Sequence, residues 1–129
     1  MQVLFVEDDA MNRRVVRDML SVAGAAMAEA EDAETGLRMI DECAYDIILM
    51  DLRMPGMDGL TAIRHLRSRA DDKAAIPVIV VTADTALDIR QDCLGQGADE
   101  VLLKPVAMTA LFNAIGRMIA RGDDNELMI

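Results

Sequence analysis

The side chains with chemistry to offer are carboxylates, a hydroxyl and an ammonium, and they fall at the ends of apolar runs. Ile47-Ile-Leu-Met50 is a short continuous apolar run, the pattern of a strand buried on both faces, and Asp51 follows at once. Gln2-Val-Leu-Phe-Val6 ends in Glu7, Asp8 and Asp9. Ile76-Pro-Val-Ile-Val-Val81 ends in Thr82, and Glu100-Val-Leu-Leu103 ends in Lys104. Singly, each has an ordinary explanation; an aspartate after a strand often only caps the turn that follows. In one parallel sheet, however, these ends would lie along a single edge, where open α/β sheets bind ligands. Clustered carboxylates cannot all stay ionised without a cation. With no His or Cys nearby, oxygen donors favour Mg2+ or Mn2+ over zinc, which makes Glu7, Asp8 and Asp51 candidate ligands. One carboxylate could then attack a phosphorus atom while the metal and Lys104 neutralise its oxygens and Thr82 donates a hydrogen bond.

The elements that would position these groups alternate. A strand over 2–6 leads through Asp9, a helix N-cap, into a helix from about Ala10 to Ala23. Its expected inward stripe is Met11, Val15, Met19 and Val22, and Gly24 ends it. Residues 25–30 are alanine-rich and favour a helix by composition; only the alternation of elements around them argues for a strand. Asp32 caps a second helix to about Glu42, with Leu37 and Ile40 inward. A third helix starts at Asp58-Gly59 and runs to about Arg69, with Leu60, Ile63 and Leu66 inward, before a polar loop over 70–75. A helix from about Thr85 to Gln96 follows the fourth strand and is ended by Gly97. The last helix, about 107–121, carries Leu111, Ile115, Met118 and Ile119 at helical spacing. Strands alternating with helices imply one parallel sheet covered on both faces, with right-handed crossovers.

Composition narrows the function. At 129 residues, 53% apolar and 28% charged, the chain is expected to be one globular domain, residues 1–122, with a short tail over 123–129. Aromatics are only 2%, so the core must be aliphatic, with the 11 methionines as filler or, alternatively, as a partner groove. A net charge of −10 argues against direct nucleic-acid binding and against anionic membranes. Neither a signal peptide nor a transmembrane helix is expected. Cys43 and Cys93 are too isolated for a disulfide framework or zinc site and are expected to be buried or half-buried thiols of a cytoplasmic protein. His65, the lone histidine, is expected at the surface.

Val6-Glu-Asp-Asp9, Met50-Asp-Leu-Arg-Met-Pro-Gly-Met-Asp-Gly59, Val81-Thr-Ala83 and Leu103-Lys-Pro105, in this order and spacing, resemble the receiver domain of bacterial two-component response regulators. The resemblance covers residues 2–121. It implies the flavodoxin-like strand order 2-1-3-4-5, five strands doubly wound with five helices. It implies that Asp51 is the phosphoacceptor, taking phosphate from a histidine kinase or histidine phosphotransfer protein, with a further, unidentified protein as downstream target. Glu7 and Asp8 become the acidic pair, Asp8 the more direct metal ligand, and Arg53 contributes its backbone carbonyl. Thr82 becomes the switch hydroxyl and Lys104 the partner of the phosphoryl group. A cis Lys104-Pro105 bond is implied, as is a tuning of phosphate lifetime by Arg53 and Asp84, which are expected to pair across the site mouth. One departure stands out: Val101 occupies the position where many receivers carry a rotating aromatic. Three alternatives stay open. The chain could be a receiver from a hybrid kinase or larger regulator instead of a stand-alone one. It could be a degenerate receiver that only binds a partner. It could be a hydrolase of the haloacid-dehalogenase type, although such enzymes usually place a second aspartate where this chain has Arg53.

Overall fold

The structure, a computed structural model, describes residues 1–127, with side chains as far as Arg121. Among the described residues are five strands and five α-helices: β1 Gln2–Val6, α1 Ala10–Val22, β2 Ala26–Ala30, α2 Ala33–Glu42, β3 Ile47–Asp51, α3 Gly59–Arg67, β4 Val78–Thr82, α4 Ile89–Gly95, β5 Glu100–Leu103 and α5 Met108–Leu127. The strands form one parallel sheet in the order β2-β1-β3-β4-β5. This is the expected order.

Period-two alternation splits the three central strands into two cores. Leu4, Val6, Ile48, Met50, Val78 and Val80 face α2, α3 and α4, meeting Ile40, Ile63, Leu66 and Cys93. Val3, Phe5, Ile47, Leu49, Ile79 and Val81 face α1 and α5, meeting Val16, Leu20, Leu111 and Met118. Each fully buried Leu or Ile contributes roughly 1.5–3 kcal/mol by leaving water. β3 is buried along its whole length, as its unbroken apolar run requires. Three aspartates set the helix starts through side-chain caps. Asp9 Oδ1 accepts from the Met11 N–H at 2.8 Å, Asp32 Oδ1 from Thr35 at 2.7 Å, and Asp58 Oδ1 from Thr61 at 2.8 Å.

Several elements differ from expectation for identifiable reasons. On α1 the buried residues are Val16 and Leu20, while Met11, Val15 and Val22 of the expected stripe are exposed. The helix is rotated so that Asn12 and Arg13 reach Glu7: Arg13 Nη1 donates to the Glu7 carbonyl at 2.7 Å and Arg13 Nε to Glu29 Oε1 at 3.1 Å. The strand over 26–30 forms despite its alanines, because pairing with β1 from Gln2↔Ala26 to Val6↔Ala30 overrides propensity. α4 begins at Ile89, not Thr85, because Asp84 Oδ1 accepts from the Ala86 N–H at 2.9 Å and turns the chain out of helical geometry. β4 begins at Val78, after Pro77, and the loop before it contains a short 3-10 helix, Asp72–Ala75. α5 continues through the segment expected as a tail, to Leu127; residues 128–129 lie outside the described residues. Cys43 is exposed, not half-buried, whereas Cys93 is buried and His65 exposed.

One close approach positions the site. The Gly59 N–H donates to the Leu52 carbonyl at 2.9 Å, drawing the start of α3 against the tip of β3. A Cβ at Gly59 would lie 2.2 Å from the Asp51 carbonyl oxygen and 2.9 Å from Leu52 Cα. Both are backbone atoms and cannot yield cheaply. Gly59→Ala is therefore expected to cost about 1–3 kcal/mol, read as a lowered urea midpoint at unchanged m-value.

Candidate functional site

Strand register brings the candidate residues together. Val6 pairs with Met50, so Glu7, the next residue, is level with Asp51. Asp51 pairs with Val81, which places Thr82 one step further along β4, and Thr82 pairs with Leu103, the residue before Lys104. The ladder continues past the strand ends: the Glu7 N–H donates to Ala30 O at 2.9 Å and the Lys104 N–H to Thr82 O at 2.8 Å. The resulting cleft is lined by Glu7, Asp8, Asp9, Asn12, Asp51, Arg53, Thr82, Ala83 and Lys104. The residues expected to contact the metal or the phosphoryl group, Glu7, Asp8, Asp51, Arg53, Thr82 and Lys104, all line it, while Asp84 does not.

Glu7, Asp51 and Thr82 are buried, and Asp8 is exposed. Lys104 Nζ donates to Glu7 Oε1 at 2.7 Å and is 3.3 Å from Asp51 Oδ1, so one ammonium serves two buried carboxylates. Asn12 Nδ2 donates to the same Glu7 oxygen at 2.6 Å. Glu7 Oε2, also buried, has no hydrogen-bond partner. Burial pushes the Glu7 carboxyl up from 4.5 to about 7; Asp51 adds to the rise, and Lys104 and Asn12 oppose it. At Lys104, burial acts to lower the pKa, but hydrogen bonding to Glu7 and the charges of Asp51 and Glu7 outweigh it, and the ammonium is held above its ordinary value. Thr82 Oγ1 accepts from the Asp84 N–H at 3.0 Å, which leaves its own hydroxyl proton free to donate into the cleft. Across the mouth, Arg53 Nη2 donates to Asp84 Oδ2 at 2.7 Å. The Lys104-Pro105 peptide is cis, as expected.

Glu7, Asp8 and Asp51 each offer one carboxylate oxygen to a group whose members lie within 4.8 Å of one another. A buried oxygen without a partner costs free energy that a cation can recover. The donors are all hard oxygens, so the set fits a divalent ion such as Mg2+. Sequence reasoning missed Asn12. Its signal was available: a side chain five residues beyond Glu7, in the first turn of the helix that Asp9 caps.

Comparison with known proteins agrees with this geometry. The family model described as the response regulator receiver domain matches residues 3–116. The chain is 36% identical over 111 residues to the sensor histidine kinase RcsC of Salmonella typhi, covering 86% of this chain but 11% of that protein. It is 36% identical over 121 residues to the response regulator MprA of Mycobacterium leprae, covering 94% of this chain and 52% of that protein. Among solved structures, the receiver domain of a sensor histidine kinase from Pseudomonas aeruginosa superposes with a TM-score of 0.84 at 32% identity, covering 92% of this chain and 97% of that one. That neighbour holds a magnesium ion in its active-site cleft.

The Glu7 shift has a thermodynamic consequence. Its folded pKa lies above its unfolded value, so its contribution to stability is fully present below about pH 4.5 and is lost as pH rises through about 7. Without divalent metal, Glu7→Gln is expected to gain about 2–3 kcal/mol over the native protein between pH 4.5 and 8, read by urea unfolding in chelator. Saturating Mg2+ should restore much of the native protein's deficit at pH 8.

Proposed function

The chain belongs to the response regulator receiver domain family, and from that premise we propose that it is a phosphorylation-dependent switch of a two-component phosphorelay. The observation that carries this reading is a buried Asp51 at the tip of β3, 3.3 Å from the Lys104 ammonium and beside the partnerless Glu7 Oε2. Asp51 accepts a phosphoryl group from the phosphohistidine of a histidine kinase or histidine phosphotransfer protein. A carboxylate oxygen forms the O–P bond, the P–N bond breaks, and its electron pair returns to the imidazole. Hydrolysis of the acyl phosphate by water restores Asp51. Glu7, Asp8, Asp51 and the backbone carbonyl of Arg53 would hold Mg2+, with Mn2+ as a substitute; the ion supplies charge neutralisation at the phosphoryl oxygens. Lys104 brings its ammonium to the same oxygens, and Thr82 donates its hydroxyl to one of them. The chain modifies only itself; it is a phosphoacceptor and not a turnover enzyme.

Phosphorylation adds roughly −1.5 to −2 of charge at the cleft. Thr82 and Lys104 move toward it, and segment 84–88, tied to Thr82 through the Asp84 N–H and to Arg53 through the Asp84 carboxylate, changes its population of conformers. The altered surface docks an unidentified downstream protein. Neither nucleic acid nor membrane is a direct partner, in keeping with a net charge of −10. No helix among the described residues is long and apolar enough to cross a membrane. We place the receiver at residues 1–122 and assign it to the cytoplasm, where its two free cysteines would stay reduced. The identity to RcsC also favours a second reading, in which the chain is the receiver of a hybrid kinase.

Intact mass after incubation with Mg2+ and phosphoramidate tests the chemistry. One added phosphoryl group is expected, dependent on Mg2+ and absent in Asp51→Asn. Lys104→Ala should slow its appearance by about 100-fold or more. An Asp51→Asn protein that still gains the phosphoryl group would overturn the assignment.

A further inference from the structure

Glu7 has two carboxylate oxygens in different circumstances. Oε1 accepts from both Asn12 Nδ2, at 2.6 Å, and Lys104 Nζ, at 2.7 Å. Oε2 accepts from nothing and is buried. Two donors on one oxygen fix the carboxylate's rotation and leave the other without a donor, in a residue that shares a 4.8 Å cluster of carboxylate oxygens with Asp8 and Asp51. The donors are not equivalent. Lys104 is shared with Asp51 at 3.3 Å, and in the phosphotransfer proposed above it is the group drawn to the phosphoryl oxygens. Asn12 is committed to Glu7. It sits in the first turn of α1, its N–H donating to Asp9 Oδ1 at 3.2 Å, and α1 is turned so that Asn12 is half-buried while Met11 and Val15 face solvent.

We propose that Asn12 is a positioning residue for the metal carboxylates, holding Glu7 Oε1 so that Oε2 keeps facing the cation after Lys104 has moved to the phosphoryl group. The proposal rests on the reading of Glu7, Asp8 and Asp51 as a Mg2+ site. Outer hydrogen-bond partners of metal ligands typically change affinity by 10–100-fold when removed. Asn12→Ala is expected to weaken Mg2+ binding about tenfold, and to weaken it further when beryllium trifluoride stands in for the phosphoryl group and occupies Lys104.

Calorimetric titration with Mg2+ alone, on the native protein, Asn12→Ala, Glu7→Gln and the double variant, separates the outcomes. Asn12→Ala should lower affinity in the native background and have no further effect in Glu7→Gln, where the ionised oxygen it serves is gone. The Mg2+ concentration that half-saturates phosphorylation by phosphoramidate should rise about tenfold, with the rate at saturating Mg2+ retained. A merely structural role would lower that rate as well and would not depend on Glu7. Asn12→Ser, which keeps a polar first-turn residue with a shorter reach, repeats the comparison should the alanine variant fold poorly. Failure of the native protein to bind Mg2+ would overturn the metal reading and this proposal together. Native Mg2+ binding with unchanged affinity in Asn12→Ala, or an equal loss in both backgrounds, would overturn the role of Asn12 alone.

Discussion

The structure is organised around the Lys104 ammonium between two buried carboxylates. Glu7 and Asp51 occupy adjacent strand tips in register, so the sheet that buries them also forces them together. In a dry setting two like charges at such range cost several kcal/mol. Burial is the larger cause of the raised Glu7 pKa, and the neighbouring Asp51 adds to it against the opposing hydrogen bonds from Lys104 and Asn12. A protein selected for stability alone would replace the pair with aliphatic residues, as the rest of the sheet does. Keeping it preserves a site whose balance a divalent cation, or a further anion beside that cation, can tip.

Tipping that balance has mechanical consequences because the groups are rigidly seated and their neighbours less so. β1, β3 and β4 are buried on both faces and fix the backbone behind Glu7, Asp51 and Thr82. Gly59 lets α3 close against the back of Asp51, which bars the strand tip from retreating. The loops beyond Thr82 and Lys104 are more open. Segment 84–88 has an Asx turn in place of the expected first helical turn, and Leu87 within it is wholly exposed. This segment, more than the sheet, is therefore loosely enough held to respond to a change in charge at the carboxylates.

Most of the architecture was legible in the sequence, because the signals were chemical and local. Four apolar runs ending in polar groups gave the strands and the site edge together, and the Asp caps gave the helix starts. What could not be read was decided by contacts between elements. The buried side of α1 is the one on which Val16 and Leu20 enter the core and Asn12 and Arg13 reach Glu7 together, a combination the apolar spacing alone did not single out. The strand over 26–30 exists because β1 offers a ladder. The late start of α4 is set by Asp84, whose side chain competes with the backbone for the same N–H groups. In each case a hydrogen bond between non-neighbouring groups, or from side chain to backbone, helps decide what local sequence preference left open.

Val101 tests how far the usual coupling needs an aromatic. It is partly buried against one of the two cores, and on edge strand β5 it pairs with Val80 of β4. A branched aliphatic there has a strongly preferred rotamer and little volume to swing. Motion begun at Thr82 thus has no large ring to displace on β5. The Thr82 hydroxyl is instead tied through the Asp84 N–H into 84–88, and the Asp84 carboxylate to Arg53. Pulling Thr82 toward an anion strains that N–H contact directly. The Arg53–Asp84 pair at the mouth is exposed on its arginine side, so it is worth little as stabilisation and can break at small cost. A weak latch coupled to a hydroxyl that can swing on a fixed backbone needs no aromatic rotation to release a loop.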